Sequence, residues 1–310
     1  MDNHAVIRTV LGDIPATQLG ICYPHEHLFG APPAQLQEAD FILDDAAAVI
    51  QELTAFQQAG GQAVVDMSTR DYNRNIRLLH QVAEATGTHV IAATGFNKDR
   101  FSKPLIAQMT DDDLDALLLR DVTKGVDNTA CCAGVLKAAS TLNEISPTAR
   151  RVFESVARIH QQTGVPISTH TEAGTMAMEQ VRLLTSNDVA PANIIIGHLD
   201  RNLDWPYILD IAQTGVFLGF DQISKEKYFP DALRITFILR LIEAGHGHQI
   251  LLSGDLARRS YWPAYGFGNG PGYTYILWRF IPWLIQAGVT PEQAHSILTD
   301  NPANALSFVL

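Results

Sequence analysis

His25-Glu26-His27 closes the first apolar run of the chain, and Lys137, His170, His198 and Asp255 each end a later run. Imidazole nitrogens and carboxylate oxygens are the donors that hold divalent cations. Residues two apart on an extended strand face the same side, so His25 and His27 can grip one ion. His170 ends Pro-Ile-Ser-Thr-His, His198 ends Ile-Ile-Ile-Gly-His, and Asp255 ends Leu-Leu-Ser-Gly-Asp. Lys137 is the odd member, because a buried ammonium facing two divalent cations is strongly repelled. It must change its chemistry or stand clear of them. With that condition, the six side chains form the donor set of a two-metal hydrolase. His246-Gly247-His248 repeats the spacing but precedes its strand, at the structural end of a parallel barrel, and is expected to be a pair of surface histidines.

Side chains this far apart in sequence meet only if the elements that carry them converge. Short apolar runs alternate with longer amphipathic ones, the pattern of parallel strands joined by helices. Eight strands are expected, at Gln18–Tyr23, Gln62–Met67, His89–Thr94, Cys132–Ala138, Pro166–Thr169, Asn193–Gly197, Val216–Phe220 and Gln249–Ser253. The helices between them are expected at Asp44–Gln58, Asn75–Thr86, Asp111–Lys124, Pro147–Thr163, Met176–Ser186, Trp205–Thr214, Ala232–Ala244 and Tyr273–Ala287. Gly60, Gly87, Gly164, Gly215 and Gly245 stand where left-handed helix caps belong. Ser146-Pro147 and Thr290-Pro291-Glu292-Gln293 read as helix starts, the second opening a ninth helix. Eight strand-helix units predict a single (β/α)8 TIM barrel over residues 1–310, whose strand ends gather the chemistry at one mouth. No Gly-x-Gly-x-x-Gly follows the first strand, which disfavours an open dinucleotide-binding sheet.

Composition narrows the ligand. The 310 residues are 46% hydrophobic and carry a formal net charge of -11, which disfavours nucleic acid and anionic membrane as partners and favours a small molecule. No apolar run reaches bilayer-spanning length and the first residues lack a leader pattern, so a cytoplasmic location is expected. Three cysteines, two of them adjacent, predict reduced thiols without a disulfide framework.

The motifs Pro-His25-Glu-His27-Leu, Val-Asp66-Met-Ser-Thr, Ala-Ala-Thr-Gly95-Phe, Ala-Gly-Val-Leu-Lys137, Thr-His170-Thr, Ile-Gly-His198-Leu and Ser-Gly-Asp255 run through nearly the whole chain. In them the sequence resembles the phosphotriesterase-like branch of the amidohydrolase superfamily. The resemblance implies that Lys137 reacts with carbon dioxide to give a carbamate bridging two metal ions. It further implies His25, His27 and Asp255 on the buried ion and His170 and His198 on the exposed one. Zinc is the first expectation for both ions, with manganese and cobalt as alternatives that the same donors accept.

A hydroxide shared by two such ions would attack the substrate, with Asp255 as the catalytic residue that takes the proton and returns it to the leaving group. Lys225, Arg258, Arg259 and Tyr261 cluster in the loops after the last two strands and form the expected substrate-binding set, suited to phosphate or carboxylate. The segments Lys225-Glu-Lys-Tyr-Phe-Pro-Asp and Asp255-Leu-Ala-Arg-Arg-Ser-Tyr resemble the sugar-lactone and homology-protein members of the family. A lactonase acting on an anionic sugar lactone is therefore the leading expectation. A phosphotriesterase or another ester hydrolase, including an acyl-homoserine lactonase, is the alternative. A metal-binding barrel without turnover is a third, and homodimers are common in the family. Among the aromatics of the last third, most are expected to pack in the core or the loops.

Overall fold

The computed structural model describes residues 5–36 and 38–310. Eight parallel strands form a nearly closed barrel: β3 (Cys22–Glu26), β4 (Ala63–Asp66), β5 (His89–Gly95), β6 (Val135–Ala139), β7 (Ile167–His170), β8 (Ile194–Gly197), β9 (Phe217–Phe220) and β10 (Ile250–Leu252). Each pairs with its sequence neighbour, from Cys22 beside Ala63 round to Leu252 beside Phe220. Before the barrel, β1 (Ala5–Thr9) and β2 (Gly12–Pro15) form a hairpin, which β11 (Phe308–Val309) joins antiparallel along β1.

Alternation along each strand divides the core. Cys22, Ala63, Val65, Ile91, Ala93, Val135, Ile195 and Leu251 fill the barrel, joined by Ile7 of β1 and Leu306, so hairpin and C-terminus plug the N-terminal mouth. Tyr23, Val64, Val90, Leu136, Ile167, Ile196, Leu218 and Leu252 face outward into the helices. The helices of the first half are α1 (Ala46–Gln58), α2 (Ile76–Thr86), α3 (Asp99–Ile106), α4 (Asp111–Thr123) and α5 (Pro147–Thr163). Those of the second half are α6 (Ala177–Thr185), α7 (Trp205–Gln213), α8 (Asp231–Glu243), α9 (Ile281–Gln286), α10 (Pro291–Leu298) and α11 (Asp300–Leu306). None is long and apolar enough to cross a membrane. Asp45 caps α1, Ser146 caps α5, and Thr290 with Gln293 forms the capping box of α10. Gly87 and Gly164 end α2 and α5 in the left-handed conformation.

Four expectations need correction. The first barrel strand begins at Cys22, and Gln18 instead ends a short 3-10 turn, so His25 lies inside the strand. Its polar end is held in the ladder because Met67 N donates to Glu26 O at 2.8 Å. Strand β6 begins at Val135, leaving Cys131 and Cys132 in the preceding loop as half-exposed free thiols. The helix expected over Tyr273–Ala287 begins with a π turn, Ile276–Phe280, before α9. Pro282 explains it: a proline ring clashes with the carbonyl four residues earlier, and a wider turn relieves the clash. Finally, α3 has no counterpart in the expected set, because Pro104 inside it reads as a breaker. Among the late aromatics, Trp262 and Tyr273 are fully buried while Trp278 and Trp283 are 59% and 49% exposed.

One glycine decides how closely two strands can lie at the mouth. Gly95 has φ +123°, and a Cβ there would come within 2.0 Å of the Lys137 carbonyl oxygen. Only a residue without a side chain lets β5 lie so close to the lysine-bearing strand. Gly95→Ala is expected to lower stability by about 3 kcal/mol, read as a reduced urea midpoint with an unchanged slope.

Candidate metal centre and active site

The barrel mouth holds a cavity of about 270 Å³ lined by His25, His27, Lys137, His170, His198 and Asp255, all six expected donors. His25 comes from β3 and His27 from the residue after it, with Lys137 on β6, His170 on β7, and His198 and Asp255 just beyond β8 and β10. Donor atoms of His25, His27 and Asp255 lie within 4.8 Å of one another, and so do those of His25, His198 and Asp221. Nε2 of His198 is 2.7 Å from Nδ1 of His170. Neither ring nitrogen of His25 makes a hydrogen bond despite burial, with Nδ1 3.3 Å from the Asp221 carboxylate, and Nε2 of His170 stands 3.6 Å from Glu172 without a hydrogen bond. Buried nitrogens rarely go unsatisfied, and a bound cation is what would satisfy these.

Two of the imidazoles are aimed by a neighbour. Ser68 Oγ is 2.8 Å from His27 Nδ1, and the Asp221 carboxylate is 2.5 Å from His198 Nδ1. A carboxylate on one ring nitrogen leaves the lone pair of the other free for a metal. Asp221 also accepts from the His198 backbone N–H, so it fixes the ring and the chain together. Asp66, at the end of β4, accepts from Leu28 N, Phe29 N and Ser68 N, pinning the segment that follows His27.

Protonation states match the donor roles. Burial pushes His170 and His198 down to about 3, and His25 also falls well below its ordinary value for the same reason. Burial thus favours the neutral form of all three imidazoles. Burial works against ionisation of Asp255, but the Lys225 ammonium and His27 outweigh it and hold the carboxyl well below the usual range. Neutral imidazole and ionised carboxylate are the forms that bind metal. Lys137 is wholly buried, and burial lowers it to about 8 against the pull of Asp255, Asp71 and Asp66. Its Nζ donates to Met67 O at 2.7 Å.

The expected substrate-binding residues divide. Arg258 and Tyr261 line the cavity. The Arg258 guanidinium lies 3.7 Å from the centre of the Phe41 ring and pairs with Asp40 at 3.1 Å, while Tyr261 OH accepts from Lys227 Nζ at 2.7 Å. Lys225 also lines the cavity, but its ammonium is spent inward on Asp255 Oδ2 (2.9 Å), Asp255 O (2.6 Å) and Gln222 Oε1 (3.0 Å). Arg259 is outside the lining, turned to Ile42 O and Asp44 at 2.5 Å each. It braces one loop on another. Two consecutive arginines in a turn diverge, so sequence adjacency could not tell which one faces the cavity. His246 bonds Gln249 ahead of β10, away from the donor cluster.

Sequence reasoning missed Asp221 and Gln222, which follow β9, the Lys98–Glu172 pair across the mouth, and Arg201, whose guanidinium lies 3.5 Å over the Tyr228 ring. The first of these was within reach: Asp221 directly follows the run Phe-Leu-Gly-Phe, the same position that marks the other donors.

The profile of the phosphotriesterase family matches residues 5–306. The phosphotriesterase homology protein of Escherichia coli is 33% identical over 92% of this chain and 97% of its own. A phospho-furanose lactonase of Mycoplasmopsis synoviae is 33% identical over 97% of this chain and 91% of its own. The crystal structure of a lactonase from Listeria monocytogenes superposes with a TM-score of 0.94 at 35% identity, covering 98% of this chain and 100% of that one. That of the E. coli homology protein, complexed with phosphate in its active site, superposes with a TM-score of 0.88 at 33% identity, covering 92% and 98%. The chain belongs to the phosphotriesterase family and is a hydrolytic enzyme built on the TIM barrel of the lactonases in that family.

The lowered lysine gives a direct check. With lysine side chains isotopically labelled, metal-free protein is expected to show one resonance titrating near pH 8 apart from the bulk near the ordinary value. Lys137→Ala should remove that resonance alone.

Proposed function

We propose that the protein is a two-metal lactonase that opens a sugar lactone carrying a phosphate group. The observation that carries the proposal is one cavity with a buried cluster of imidazoles and carboxylates on its floor and Arg258 with Tyr261 on its wall. The lactonases and phospho-furanose lactonases among its relatives, and the phosphate in the active site of the E. coli relative, support the same substrate class.

His25, His27 and Asp255 would hold one divalent cation and His170 and His198 a second, with Lys137, as a carbamate, a donor available to both. Zinc suits these donors, with manganese or cobalt as substitutes. When bound, such a pair supplies Lewis acidity toward a carbonyl oxygen and makes water a nucleophile near neutral pH. The carbamate turns a repelled ammonium into an anionic donor, and a lysine lowered to about 8 has the free amine that this addition needs. Asp255, ionised and facing the cavity, accepts the proton of the attacking water. The ring C–O bond then breaks, and the same proton passes from Asp255 to the departing ring oxygen. Arg258 and Tyr261 grip the phosphate and thereby orient the lactone; Arg258 is already aimed by Asp40 and Phe41, which lowers the ordering cost.

Purified protein is expected to carry about two divalent ions per chain by elemental analysis. On a panel of phosphorylated sugar lactones, acyl-homoserine lactones and paraoxon-type triesters, the first should be turned over fastest. A triester or acyl-homoserine lactone leading the panel would replace this substrate assignment. Lys137→Ala should lose second-ion occupancy and at least about a hundred-fold in turnover, with partial rescue by short carboxylic acids. Arg258→Ala should raise KM for a phosphorylated lactone by about tenfold or more, relative to its unphosphorylated analogue. Arg259→Ala should change that ratio by less than about twofold, since its charge is spent elsewhere.

A further inference from the structure

Glu26 stands between two candidate ligands and takes no part in the cavity. The register of β3 shifts between Tyr23 and Glu26, and the Glu26 side chain is fully buried outside the cavity that His25 and His27 line. Its carboxylate spans the one join of the barrel at which no strand ladder pairs among the described residues, that between β3 and β10. Oε1 accepts from Gly254 N at 2.6 Å and Oε2 from Leu256 N at 2.9 Å. The residue between those two amides is Asp255. Its φ is +46°, a left-handed conformation that a non-glycine residue holds only when its surroundings fix it. Asp255 N reaches back to His25 O at 3.3 Å, and its carboxylate lies 3.4 Å from His27 Nε2.

We propose that Glu26 is a positioning residue for the first cation site: by accepting from the amides on both sides of Asp255, it sets the turn that brings Asp255 onto the ion shared with His25 and His27. The inference rests on the two-cation reading above. It follows from the number of acceptors. Two backbone donors flank Asp255, and the Glu26 side chain has an oxygen for each; burial pushes its carboxyl up and these two amides pull it back. A glutamine at position 26 offers one oxygen and turns an NH2 group toward the other amide, donor against donor. The turn then loosens on one side, and Asp255 drifts from the imidazoles while the second site, built by His170 and His198, keeps its geometry.

Zinc affinity is measured for both sites by competition with a chromophoric chelator, in the wild type, Glu26→Gln, Asp255→Asn and the double variant. Glu26→Gln should weaken one site by about 10–100-fold and leave the other within about threefold. In the Asp255→Asn background it should add little, since residues acting through one another are not additive. On a phosphorylated lactone kcat should fall while KM stays within about twofold, because the phosphate grip is untouched. Gln249→Ala removes two buried side-chain bonds ahead of β10, to Ala212 O and Val216 O, away from both cation sites, and serves as the control: a lower urea midpoint with both affinities kept. If Glu26→Gln does not fold, Glu26→Asp keeps two oxygens on a shorter arm and should show the same selective loss, smaller. Wild-type affinity at both sites, equal loss at both, or full additivity with Asp255→Asn overturns the role of Glu26 alone. A wild-type protein that takes up no cation overturns the two-cation reading and this inference with it.

Discussion

Closing the barrel is the constraint on which the site depends. His25 and His27 arrive on the first barrel strand and Asp255 on the loop after the last, so these donors meet only where the sheet returns to its beginning. No strand ladder makes that join among the described residues. It is made by a serine hydroxyl, one backbone bond and a buried carboxylate, Ser253 on His25 N, Asp255 N on His25 O, and Glu26 on Gly254 N and Leu256 N. A ladder would fix the register of the strands, but it would not shape the residue beyond them. Side-chain acceptors can do both, and here they also fix the turn that carries Asp255.

The same economy recurs around the mouth. Asp66 pins the backbone after His27, and Asp221 fixes both ring and chain of His198. These buried carboxylates keep the imidazoles oriented at the edge of the cavity. Burial both lowers the imidazoles and Lys137 and makes every unpaired nitrogen costly. The cluster is incompletely satisfied by its own protein atoms, since the ring nitrogens of His25 and Nε2 of His170 make no hydrogen bond. It is poised for cations.

Much of this was legible in the sequence because the period of the pattern and the position of the chemistry are coupled. Seven of the eight barrel strands fall on the expected runs within a few residues, and the six candidate donors line one cavity at the strand ends. What escaped has physical causes. The first strand runs on into polar residues because its end is a functional surface, so apolarity stops before the ladder does. Pro104 and Pro282 sit in helical segments that absorb them, one near a helix end and one through a wider turn. Loop charges carry no period at all, so nothing local distinguishes Arg258, stacked on Phe41 and open to the cavity, from Arg259, which ties down the same loop. Lys225 has a third fate, spending its donors on Asp255 and Gln222.

The small sheet at the closed end has a topological corollary. Ala5 pairs with Val309 and Val6 with Phe308, so the first and last described strands lie side by side on the side away from the cavity. The covalent order of the units is thereby almost cyclic. A permuted chain, joined across that sheet and opened at the exposed turn near Asp188, would keep every ladder and every donor. What specifies the barrel is the circular succession of its units.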